Sequence, residues 1–82
     1  RETDVGQREL DAARTLVSAN EERVRIARLE YQAGRGTAYD LVNFEADLAG
    51  ARFREAEVRV RIARAAAELR RLTTPAPGRT SP

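Results

Sequence analysis

The chain of 82 residues has no cysteine, histidine, methionine or tryptophan, and all its basic residues are arginine. Without cysteine there is neither a disulfide nor a thiolate metal site. That absence does not by itself separate a reducing from an oxidising compartment. Without histidine or cysteine the commonest general base and the thiol nucleophile are missing. The only serines, Ser18 and Ser81, have no base patterned beside them. The acidic pairs Glu21-Glu22 and Glu55/Glu57 have arginines three or four residues away, the spacing of ion pairs along a helix. No enzyme is expected, and no catalytic, cofactor-binding or metal-binding residue is assigned. Proline is missing up to Thr74; Pro75, Pro77 and Pro82 all fall in the last eight residues. Long uninterrupted helices are therefore allowed. No apolar run of membrane-spanning length occurs, and the densest patch, Ala65-Ala66-Ala67, sits between Arg64 and Glu68. The chain opens on Arg1 without an initiator methionine, the look of a processed or excised piece, and any signal peptide would lie upstream.

Charge is abundant but nearly balanced, with 15 basic and 13 acidic residues and a net charge of +2. Arginines crowd residues 51–74, but acids interrupt them and aromatic side chains do not interleave. That pattern suits a solvated helix face better than a phosphate-binding surface, so no nucleic acid is expected. Alanine, leucine, arginine and glutamate dominate the composition, as in long or coiled helices.

Apolar periodicity predicts two long helices, over about residues 4–33 and 38–72. In the first, Leu10, Ala13, Val17, Asn20, Val24, Ala27 and Tyr31 alternate in steps of three and four, a heptad seam with one polar member that could set register. A second set, Val5, Ala12, Ala19, Ile26 and Ala33, recurs every seven residues on another face. Gly6 weakens the first turn and leaves the start open. The second helix carries two complete seams. One runs Leu41, Phe44, Leu48, Ala51, Glu55, Val58, Ile62, Ala65, Leu69, Leu72; the other runs Val42, Ala46, Ala49, Phe53, Ala56, Val60, Ala63, Ala67. The two lie about 150° apart on a heptad wheel. A helix with two apolar faces calls for a neighbour on each, so the expected fold is an all-α antiparallel hairpin of long helices, a coiled coil incomplete by itself and suited to a helical wall.

Between the helices stands a built turn over residues 34–37. Gly34 can take the left-handed conformation that closes a helix, and Gly36 loosens the turn. Thr37 is placed as N-cap with Asp40 three residues on, a Thr-x-x-Asp capping box that also sets a carboxylate near the positive end of the helix dipole. Residues 73–82 read as a disordered tail.

The order Tyr31-x-x-Gly34, Thr37-x-x-Asp40-Leu41-Val42-Asn43 and Leu48-x-x-Ala51 resembles the C-terminal repeat of TolC-like outer membrane efflux proteins. Those proteins show Tyr-x-x-Gly, a short gap, Asp-x-Leu-x-Ala-Gln and then Leu-x-x-Ala in an alanine-rich helix. The likeness covers about residues 20–74. It departs at Asn43, at Phe44 in place of the usual alanine, and at Glu45 in place of glutamine. The resemblance implies a segment of the periplasmic α-helical barrel of a trimeric channel in the Gram-negative outer membrane, serving tripartite efflux or type I secretion. By the same resemblance Gly34, Arg35 and Gly36 form a tip that docks a periplasmic adaptor (membrane fusion) protein linked to an inner membrane pump. Tyr31 and Asp40 join the polar network that closes or lines the entrance. From its own residues Tyr31 reads equally as a seam residue packed on the second helix.

The alternative is a soluble coiled-coil interaction or scaffold module. Both readings expect self-association: a trimer in the parent protein, or a dimeric four-helix arrangement of the piece alone.

Overall fold

The computed structural model describes residues 2–73, with side chains over 4–72, and within that span the chain is two long helices packed against each other. α1 spans Glu2–Gln32 and α2 spans Ala38–Thr73. At about 1.5 Å per residue they are roughly 46 and 54 Å long. The five-residue link between them is short enough to force an antiparallel hairpin. Most of the expected disordered tail, residues 74–82, lies outside the described residues, while Thr73 is still helical.

The core is one seam per helix. Leu10, Ala13, Val17 and Val24 of α1 are buried against Leu48, Ala51 and Val58 of α2, and Val58 is only 3% exposed. They form two clusters. Val17, Val24, Leu48 and Ala51, flanked by Leu41 and Phe44, fill the half nearer the turn. Leu10, Ala13 and Val58, with Ile62, fill the other half. Of the two seams on α2, the one with the larger side chains went inside. Larger side chains bury more apolar area, and each buried methylene contributes about 0.8 kcal/mol. The alanine-rich seam is left facing solvent.

Gly6, which weakens the first turn of α1 by propensity, also extends the seam by one turn: a Cβ placed there would come within 3.2 Å of Ile62 Cγ1. The missing side chain lets the helices approach where Ile62 is bulky. Beyond that level the seam of α2 outruns its partner, since few residues of α1 precede Gly6. Leu72 is accordingly 81% exposed rather than packed.

Ion pairs stitch the two helices along both edges of the seam. Glu9 pairs with Arg61 at 2.6 Å, Arg14 with Glu55 at 3.7 Å, and Glu21 with Arg52 at 3.2 Å. Arg23 pairs with Asp47 at 3.8 Å and Arg28 with Glu45 at 3.1 Å. Most of these side chains are half exposed, so each pair contributes little stability. Collectively they penalise a slipped register, because a slip of one heptad toward the end of α2 would set Glu9 by Glu68, Arg23 by Arg54 and Arg28 by Arg52. Glu55 stands inside the seam and is half-buried. Its carboxylate is satisfied by Arg14 and, at 2.8 Å, by Arg59 one turn on.

Candidate functional site

The inter-helix tip is built almost entirely from backbone hydrogen bonds. Gly34 has φ of +77°, the only positive φ among the described residues. That conformation reverses the chain, so the N–H of Gly34 donates to the Tyr31 carbonyl at 3.1 Å and that of Arg35 to the Glu30 carbonyl at 2.8 Å. These two bonds constitute a Schellman closure, which satisfies carbonyls that a helix end otherwise leaves bare.

Gly36 does more than loosen the turn. Its N–H also donates to the Glu30 carbonyl, at 3.1 Å. A Cβ at Gly36 would lie 3.3 Å from both Glu30 Cβ and the Tyr31 nitrogen. The second glycine therefore folds the link back onto the end of α1. Space around Gly34 is open, with nothing within 4 Å of a would-be Cβ. One glycine is needed for its dihedral angle, the other for close approach.

Thr37 starts α2 as expected. Its Oγ1 accepts from the Asp40 N–H at 3.1 Å, and its carbonyl accepts the first helical bond from Leu41. Among the described residues the reciprocal arm of the capping box, from the Asp40 carboxylate to the Thr37 N–H, is not made. The Asp40 carboxylate thus lies exposed in the first turn of α2, where the helix dipole favours a negative charge.

Tyr31 ends the α1 seam but is 47% exposed, because the turn rather than a helix stands across from it. Tyr31 and Asp40 share no hydrogen bond in the single chain, so any polar network they join draws on groups beyond it. Next to the turn lies a small hollow bordered by Ile26, Glu30, Gly36, Asp40 and Phe44, with the Arg23 guanidinium 5.3 Å from the Phe44 ring centre. Tyr39, one position before Asp40, is 74% exposed at the tip and was not singled out from the sequence. Its signal was there: it belongs to neither seam of the second helix, so it had to point outward.

Asn20 also departs from expectation. It is buried in the seam, but its amide donates at 2.9 Å to the Leu16 carbonyl of its own helix. It makes no bond across to α2 and does not set register by pairing.

The second seams are open along their whole length. On α1, Val5 and Ile26 are exposed together with Leu16 and Leu29; on α2, Val42, Phe53 and Val60 are exposed, Phe53 by 66%. No helix among the described residues is long and apolar enough to cross a membrane. No protein-family model, curated protein or solved structure matches the chain.

Proposed function

We propose that this hairpin is one segment of a helical wall, of the kind that forms the periplasmic tunnel of a TolC-like trimeric outer membrane channel in efflux or type I secretion. The observation that carries this reading is the pair of exposed second seams. The hairpin closes one apolar face per helix and leaves another of the same period open on each. A helix flanked on both sides is what a tube requires and a lone hairpin does not. The ordered turn motif, Tyr31-x-x-Gly34 followed by Thr37-x-x-Asp40, supports the same reading.

In that assembly the tip of Gly34, Arg35 and Gly36 is the surface offered to a periplasmic adaptor. Its backbone is unshielded at Gly34, and Arg35 and Tyr39 are exposed beside it. Tyr31 and Asp40 contribute to the entrance network with groups of neighbouring helices. The test uses the intact protein that carries this hairpin, purified from membranes and reconstituted in planar bilayers. A trimer with channel conductance is expected, altered when Asp40 becomes Ala. A bulky residue at Gly34 should abolish export while the trimer still assembles. A protein found outside the envelope fraction and without conductance would instead favour the coiled-coil scaffold.

A further inference from the structure

The exposed seam of α2 is complementary to itself when reversed. Read from Val42 to Ala67, large and small residues are disposed so that an antiparallel copy sets each large one against an alanine. Phe53 falls opposite Ala56, Val60 opposite Ala49 and Val42 opposite Ala67, while Ala46 meets Ala63. All four pairs belong to one register, with a two-fold axis between Phe53 and Ala56. Such large-against-small matching is how helices interdigitate without voids. In the single chain, Phe53, Ala56, Glu57 and Val60 already border an open groove, the place where Phe53 of a second copy would insert.

Charge selects the same register. Most charged side chains of α2 between Glu45 and Arg61 are spent on ion pairs within the hairpin, but Arg54 and Glu57, which flank the open seam, are not. In the reversed register Arg54 of one copy falls on the same flank as Glu57 of the other, about 3 Å from level along the axis and within reach of an ion pair, twice by symmetry. Arg52 and Arg59 approach each other along the opposite flank. Each is already held by a carboxylate of its own chain, Glu21 at 3.2 Å and Glu55 at 2.8 Å. Gly50 fits the same picture. A glycine in mid-helix is unfavourable, and nothing within the chain occupies its Cβ space. The register brings it under Glu57 of the second copy, where a bare helix surface lets the chains close.

We propose that the outer face of α2 is a homotypic interface, on which two copies of this chain pack antiparallel about a two-fold axis between Phe53 and Ala56. The partner is a second copy, and the contact is isologous, the commonest form of self-association. The pairing is that of the isolated chain and does not rest on the channel reading, in which the same face would be covered by a neighbouring helix of the tube.

Because the chain has no cysteine, introduced thiols report the geometry directly. A mixture of the Ala46→Cys and Ala63→Cys chains should form a disulfide-linked dimer under mild oxidation, and neither chain should do so alone. Phe53→Glu should weaken dimerisation at least about tenfold and leave the helical circular dichroism unchanged, since Phe53 takes no part in the hairpin core. Glu57→Arg should weaken it too, and Arg54→Glu added to Glu57→Arg should restore it. Efficient linkage of Ala46→Cys to itself would mean a parallel pair and overturn the proposal. Linkage of Ala49→Cys to Ala19→Cys in its place would mean a side-by-side contact of α2 with α1 and overturn it as well. So would a wild-type chain that stays monomeric.

Discussion

The glycines of this hairpin are not equivalent, and substitution by alanine should separate them. At Gly34 the backbone sits at φ +77°, a region that a Cβ disfavours whatever the surrounding space. Gly34→Ala should cost about 1 kcal/mol in chemical denaturation. At Gly50 the backbone is helical and the Cβ space is open, so Gly50→Ala should stabilise the monomeric hairpin by about 0.5–1 kcal/mol. Equal effects at the two sites would contradict the turn geometry. Gly6 stands between these extremes, because the neighbour it would crowd is the flexible end of Ile62. Asn20 yields a further expectation. Its amide is buried yet bonds only within its own helix, so a leucine there trades that bond for apolar burial. Asn20→Leu should raise the melting temperature, with a gain of about 1 kcal/mol, whereas an unchanged or lower value would show that the polar seam position stabilises the hairpin.

The two helices are held by a thin core, and this limits what they withstand. Each seam contributes only a few buried side chains, so a single truncation matters. Leu48→Ala should cost about 2–3 kcal/mol, the lower part of the range for core leucines, because a one-sided seam can partly collapse around the gap. Guanidinium titration showing a loss under 1 kcal/mol would mean the seam is not the core. On the surface of α1 the Glu22–Arg25 pair is sensitive to pH. The Arg25 guanidinium donates to Glu22 and, by that hydrogen bond first and its charge second, holds the Glu22 carboxyl below its ordinary value. A carboxyl depressed on folding stabilises the folded state above its unfolded pKa, and the contribution is lost as pH falls through the folded one. Both groups are fully exposed, so Glu22→Gln should leave the acid limb of the pH–stability curve almost where it was. Heptad alternation makes the two helices and their seams legible in the sequence, and Gly34 with Thr37 does the same for the turn. The alternation does not say which seam of the second helix faces inward, since both have the same period. Side-chain volume and the cross-helix ion pairs settle that, and pairing is invisible until the register is known. The same holds for Gly6, whose closeness to Ile62 is invisible until the two helices are paired.

As a whole the molecule is a single layer of two helices with apolar stripes along its outer edges, and such edges are rarely left bare. The proposed channel segment and the proposed homotypic pair both require that the open seams be covered by a neighbour. Sedimentation equilibrium of the 9.1 kDa chain across a wide concentration range tests their shared premise most directly. The account predicts reversible association beyond the monomer, lost on Phe53→Glu with helical content retained. A wild-type chain that remains a helical monomer at the highest concentrations would contradict it.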